Sequence, residues 1–185
     1  MGESRISGSD SATVKDCYAT AAVSGNDYVG GVVGNINASS MYSSTVINCY
    51  ATGTVSGSDY VGGVVGANNG TLAAVRNCVA LNSDLDAATN YGRVGVKNTG
   101  TFTNNYGRMD MTYAGGSLTW SPATSSNNQG ITIGTLATKE WNDASWWTSL
   151  SPSGPAFNPA AWIIADGKLP TLKDMPGRTQ NPVVQ

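Results

Sequence analysis

Histidine is missing from all 185 residues. With it go the commonest general base and the commonest metal ligand, so most nucleophilic triads and His-based metal sites lack their central member. Charge is sparse as well: Asp, Glu, Lys and Arg make up 12% of the chain, too little for salt-bridged helices or coiled coils. Ten basic residues against twelve acidic ones leave a net charge of −2, which gives no basic field for a phosphate backbone, and nucleic acid is not an expected partner. No apolar run approaches the roughly 20 residues that cross a bilayer, so no membrane insertion is expected in this segment. The opening Met1-Gly2-Glu3 lacks the basic and apolar regions of a signal peptide, as expected of an intracellular chain or of a mature piece of a longer one. Three cysteines make neither a paired disulfide framework nor a CxxC knuckle. Proline is absent before Pro122 and tryptophan before Trp120, while all eight tyrosines precede Trp120.

What the chain does have is 23 glycines and strong self-similarity, the first thing to look for in a sequence of this kind. Cys17-Tyr18-Ala19-Thr20 returns as Cys49-Tyr50-Ala51-Thr52. Asp27-Tyr28-Val29-Gly30-Gly31-Val32-Val33-Gly34 returns as Asp59-Tyr60-Val61-Gly62-Gly63-Val64-Val65-Gly66. A worn third copy runs from Val75-Arg76-Asn77-Cys78-Val79-Ala80, with Gly92-Arg93-Val94-Gly95 where Gly62-Gly63-Val64-Val65 stood. A fourth begins at Asn98-Thr99-Gly100-Thr101-Phe102, and in it Asn104-Asn105-Tyr106 takes the place of Arg76-Asn77-Cys78. The units are built of Val, Thr, Tyr, Ser and Gly in short runs, without the Ala, Leu, Glu and Lys at 3.6-residue spacing that helical repeats need. Ser-Gly, Gly-Gly and Asn-Gly pairs punctuate them as turns.

One repeat therefore reads as one coil of three short strands in an all-β, parallel β-solenoid of about three coils. Stacked coils lie roughly 4.8 Å apart, so equivalent residues become neighbours. Cys17, Cys49 and Cys78 are expected as an interior column of free thiols, continued by Tyr106, because same-facing stacked side chains are poorly aimed for the disulfide dihedral. Asp16, Asn48, Asn77 and Asn105 are expected as a second column at a bend, hydrogen-bonding along the axis.

Residues 1–119 form the array on this reading. Residues 120–185 form a closing segment that adds a strand near Gly130–Thr135, a short helix within 136–147, and a turn at Asp166-Gly167. It is expected to fold over the last coil, whose core and strand edges need covering. A loose end follows from Met175. The array starts inside a repeat behind a Ser/Gly-rich leader, so more coils or another domain are expected upstream.

Asn48-Cys49-Tyr50-Ala51-Thr52-Gly53-Thr54-Val55-Ser56-Gly57 and Tyr60-Val61-Gly62-Gly63-Val64-Val65-Gly66 resemble the GLUG repeat of bacterial surface and secreted proteins. The stretch from Trp141 to Leu172 resembles the segment that often closes such arrays. The usual Gly-Gly-Leu-Val-Gly has Val in place of Leu here. The resemblance implies a right-handed β-helix in an adhesin-like protein, exported to the cell surface, whose partner is a host or neighbouring-cell protein or a glycan. Similar repeats also accompany IgA-specific metallopeptidases as non-catalytic parts.

Several residues invite a chemical reading beside a structural one. Asp27 and Asp59 hold equivalent positions and could pair like the acids of a retaining glycosidase, or join a Ca²⁺ site. The plainer alternative is that each caps a turn. Asp84 and Asp86 read as a solvated loop or a cation loop. Tyr18 and Tyr50 are expected to stack on an exposed face that docks sugars or proteins, or simply stiffens the sheet. Trp146 and Trp147 are expected to be buried by the Pro-rich loop. With no histidine to activate Ser or Cys and no acids converging, no enzyme activity and no cofactor are expected. A non-catalytic structural and adhesive module is the leading reading. A carbohydrate-active β-helix enzyme is the alternative, and an ice-binding surface is disfavoured by the lack of Thr-x-Thr rows.

Overall fold

The computed structural model describes residues 5–6, 11–38, 40–121, 124, 127–135, 137–150, 152–175 and 180–184. Every rung is set by a residue that turns the chain with a positive φ. Asp16, Asn48, Asn77 and Asn104 hold φ of 53°, 54°, 52° and 54°, a region that Asn and Asp tolerate better than other side-chain-bearing residues. Each sits where the chain bends between two limbs of a parallel sheet. The limbs are continuous in Ala12–Ala19 and Ser44–Ala51. In the next coils they are split into Ala73–Arg76 with Val79–Ala80 and Thr101–Thr103 with Tyr106–Arg108, and Ile131–Ile133 adds a last rung.

Three further parallel sheets complete each turn, so a coil has four faces where the sequence suggested three strands. Val23–Ser24, Val55–Gly57, Asp84–Ala87 and Thr112–Tyr113 make one sheet. Asp27–Gly30, Asp59–Gly62 and Tyr91–Gly92 make another, and Arg5–Ile6, Val33–Asn37, Val65–Asn69 and Gly95–Lys97 make the last. Cys17 pairs with Cys49, Val23 with Val55, Asp27 with Asp59 and Val33 with Val65. The architecture is thus a β-solenoid. Its interior is a column of small apolar side chains, including Val46, Cys49, Ala51, Val55, Val61, Val64, Val75 and Cys78.

Glycine is required where coils approach most closely. A Cβ on Gly31 would strike the Gly63 carbonyl, and one on Gly63 would strike the Arg93 carbonyl and Asn82 Oδ1. Arg93 carries a side chain in the same column because the backbone departs beneath it. Its N–H rung is completed by the Gln129 side chain, 2.9 Å away, in place of a peptide carbonyl. The guanidinium fills the space so opened and donates to Gln129 O, Arg108 O, Gly130 O and Thr132 Oγ1 at 2.8–3.2 Å. Burial lowers its pKa to about 10, so it remains a cation at neutral pH. Trp120 packs into the interior cluster and donates to Met111 O at 2.9 Å.

The bend column differs from the expected one by a single residue. Asn104 occupies it, and Asn105 turns inward to the slot below Cys78, where its Oδ1 accepts from Cys78 N and its Nδ2 donates to Val75 O, both at 2.9 Å. Tyr106 consequently leaves the cysteine column and pairs in register with Val79, which pairs with Tyr50. The physical reason is that the Asn105 amide takes the slot below Cys78 and satisfies Cys78 N and Val75 O, while the apolar cover outside the sheet takes the tyrosine ring. The free thiols Cys17, Cys49 and Cys78 lie in successive rungs and point at the carbonyls of Lys15, Ile47 and Arg76 at 3.1–3.2 Å.

The bend side chains form one directed chain. Asn104 Nδ2 donates to Asn77 Oδ1 at 2.9 Å, Asn77 to Asn48 and Asn48 to Asp16, each at 3.2 Å. Every amide donates toward the first coil, and a carboxylate, which only accepts, ends the series. Replacing Asn48 by Val puts a β-branched residue at positive φ and interrupts this chain. The expected loss is about 2–5 kcal/mol, from strain of about 1–2 and unmade part-buried hydrogen bonds of about 1–3. Asn48→Gly keeps the backbone and should lose about half as much, read as the shift in urea midpoint.

Candidate functional site

The outward tyrosine row is the most elaborate packing feature of the chain. Tyr18 and Tyr50 stack with centroids 5.2 Å apart and planes 7° from parallel. The row is not an exposed face: Tyr50 is 0% exposed and Tyr18 half-buried. Trp120 packs into the interior cluster and Ile131–Ile133 adds a rung on Tyr106–Arg108 at the last coil, while from Trp141 onward the C-terminal segment runs along this flank of the solenoid. Trp162 stands 6.3 Å from Tyr18 and 5.9 Å from Tyr50, and Trp147 stands 5.6 Å from Tyr50. Phe157 fills the space between Trp147 and Trp162 at 4.9 and 5.0 Å. Together with Val79, Leu81, Tyr106, Ile133, Trp141 and Leu169 these rings make a second core outside the sheet. An apolar row of this length left to water is unfavourable, and the Trp-rich segment is what removes it.

Local chemistry places the covering rings. Asp143 caps the short helix Ala144–Thr148 by accepting from Ser145 N at 2.8 Å. Consecutive tryptophans cannot share one helix side, so Trp147 is buried while Trp146 is only half-buried, over Tyr106 at 5.3 Å. The Trp162–Ile163 and Thr171–Leu172 strands pair antiparallel across a turn at Gly167, whose φ is 74°. Polar ends are also met. Tyr50 OH donates to Pro170 O at 2.6 Å, and Tyr18 OH to Gln180 Oε1 at 3.1 Å. Trp162 Nε1 donates to Asp16 Oδ1 at 3.2 Å, and Tyr106 OH lies 2.8 Å from Gly154 O. Burial raises the Tyr50 hydroxyl pKa well above its usual value and that of Tyr106 to about 12.

The acidic candidates lie apart from this core. Asp27 and Asp59 are register partners, and each carboxylate is already engaged by neighbouring side chains. Asp59 accepts from Thr89 Oγ1 and Asn90 Nδ2 at 2.7 Å and from Tyr60 N at 3.0 Å. The Thr89 bond foremost holds its pKa below the ordinary value, the opposite of what a general acid needs. Asp27 receives Asn26 Nδ2 at 3.2 Å. Asp84 and Asp86 stand in the strand Asp84–Ala87, not in a loop, and Asp84 is bonded by Thr112 Oγ1 and Gly115 N. Among the described residues no group of three His, Cys, Asp or Glu is placed to hold a metal ion. The pKa of Cys17 is raised foremost by its contact with Cys49, and burial adds to the rise, which leaves little thiolate to act as nucleophile.

A second tyrosine pair went unremarked in the sequence although its signal was there, in the repeated Asp-Tyr-Val-Gly-Gly. Tyr28 and Tyr60 stack at 5.0 Å and 18°, both half-buried and both at positive φ, 57° and 54°. Asn90 takes that place in the third coil at φ 39°. Around them Asn26, Asp27, Ser58, Thr89 and Asn90 are exposed, and Ser58 Oγ donates to Asn26 Oδ1 at 3.0 Å. This face is left open by the C-terminal segment.

Two outcomes follow for the covered row. Trp162→Ala should cost about 3–5 kcal/mol, because the ring is fully buried against three aromatics, and a rise in binding of an apolar dye should accompany it. Alkaline titration should weaken the fold. The raised hydroxyls keep their protons in the folded chain while the unfolded chain loses its own near pH 10. Stability is therefore full below about pH 10 and falls between about pH 10 and 12. Melting temperatures across that range should show a smaller drop in Tyr50→Phe.

No helix among the described residues is long and apolar enough to cross a membrane. No curated protein and no solved structure matches the chain. Residues 25–56 match a family model, the GLUG motif, and in the structure this stretch begins just after Ser24 and ends at its register partner Ser56. The matched segment is thus one complete turn, and the chain is a β-solenoid that carries the GLUG motif.

Proposed function

We propose that the protein is a non-catalytic structural and adhesive module of a bacterial cell-surface or secreted protein, presenting a rigid solenoid face to a protein or glycan partner. The observation that carries this reading is the division of its faces. One flank is sealed by the tryptophan segment, whereas the face bearing Tyr28 and Tyr60 keeps Asn26, Asp27, Ser58, Thr89 and Asn90 in stacked, solvent-facing rows. Stacked aromatic rings with flanking amides and hydroxyls offer large contact area at low entropic cost, and backbone ladders hold them rigid. The carbohydrate-active alternative is weakened by Asp59, whose carboxylate is tied to Thr89 and Asn90 and kept ionised.

The test is a solid-phase panel of glycans and matrix proteins probed with the chain and with Tyr28→Asn/Tyr60→Asn. Asn90 already occupies the equivalent backbone conformation, so the double variant should fold with an unchanged or higher melting temperature. Binding to whichever partner the parent retains should fall about tenfold or more, the loss of about 1.4 kcal/mol or more. Unaltered binding, or turnover of a glycan that Asp59→Asn abolishes, would count against the reading.

A further inference from the structure

A cleft of about 460 Å³ opens on the C-terminal segment, away from the Tyr28–Tyr60 face. Lys139 and Lys168 line it together with Asn142, Thr171 and Asn181, and Leu169 and Pro182 add apolar wall. No carboxylate is among the described lining residues. Neither ammonium has an ion-pair or hydrogen-bond partner among the described residues, in a chain with only ten basic residues.

Both walls are pinned. Gly167 N donates to Asn142 O at 2.7 Å, which ties the turn carrying Lys168 to the 3₁₀ turn Glu140–Asn142 that follows Lys139. Gln180 forms a two-bonded clasp on Leu172, donating Nε2–H to its carbonyl at 2.7 Å and accepting its N–H at 2.8 Å, and so fixes the chain that supplies Asn181. Lys139 is held at φ 47° and ψ 53°, a left-handed conformation that Gly and Asn accept more readily than lysine. The nearby acids make no ion pair with either lysine among the described residues: Asp166 Oδ1 accepts from Ala144 N at 2.9 Å, and Glu140 lies outside the lining.

Two free cations, amide and hydroxyl groups of both hydrogen-bonding senses and an apolar wall suit a ligand with one carboxylate and several hydroxyls. The volume suits one or two sugar rings. We propose that this cleft binds a carboxylate-bearing sugar, a uronic-acid unit of a glycan. This goes beyond the adhesive reading above, because the cleft and the Tyr28–Tyr60 face share no residue, and either can fail alone.

The experiment is calorimetry of the full chain with a uronic-acid trisaccharide, its methyl-esterified uncharged counterpart, and inorganic phosphate. Saturable binding of the acid, with the ester about tenfold weaker or worse, is the expected result. Lys139→Asn/Lys168→Gln should lose about tenfold in affinity with little change in melting temperature, since Asn suits the left-handed backbone. Raising salt should weaken the parent's binding and leave the variant's nearly flat. The proposal is overturned by no saturable binding of the acid, by equal binding of the ester, by tighter binding of phosphate, or by an unaffected double variant. Tyr28→Asn/Tyr60→Asn should bind the trisaccharide as the parent does, which separates this site from the adhesive face.

Discussion

The bend at Asp16, Asn48, Asn77 and Asn104 is the constraint on which the rest depends. It makes a left-handed backbone repeat once per coil, and the side chains that tolerate that backbone are also the ones that can hydrogen-bond along the axis. Because the bend is fixed, the residue before it points one way, the next lies in the cysteine column, and the one after faces out. Interior and exterior are decided over several rungs by one choice of residue type. The same registration explains why lost residues do so little damage. The step is 32 residues from Cys17 to Cys49, 29 from Tyr50 to Val79 and 27 from Val79 to Tyr106, and the shortening falls largely in the corners.

The second core changes what kind of object the array is. In a simple solenoid each repeat contacts only its neighbours and the ends fray first. Here one segment touches Asp16 and Tyr18 in the first coil, Tyr50 in the second, Val79 in the third and Tyr106 in the fourth. Contacts of such long span couple coils that would otherwise open independently. They also answer the apolar outer row that the motif creates: Tyr18, Tyr50 and Tyr106 each keep a hydroxyl bonded within that cover.

Most of the architecture was legible in the sequence because stacked coils repeat their chemistry at nearly fixed spacing. The cysteine rungs, the Asp-Tyr-Val-Gly-Gly turns, the late strand at Ile131–Ile133 and the turn at Asp166-Gly167 all carry local signals. The error at Asn105 arose from two adjacent asparagines. Aligning Asn104-Asn105-Tyr106 with Asn48-Cys49-Tyr50 residue for residue places Asn104 at the bend. The covered row was not legible, since nothing local to Tyr50 says that Trp162, over a hundred residues later, lies on it. Arg93 was visible as an oddity in a glycine column, but its role depends on where the backbone departs at Gln129.

The clasp between Gln180 and Leu172 has a mechanical meaning. Because Gln180 Oε1 also receives the Tyr18 hydroxyl, tension arriving along the final residues is delivered to the first coil without passing through the stack in sequence. It loads the aromatic seam in shear, where many contacts must slip together, so rungs are not peeled away one at a time.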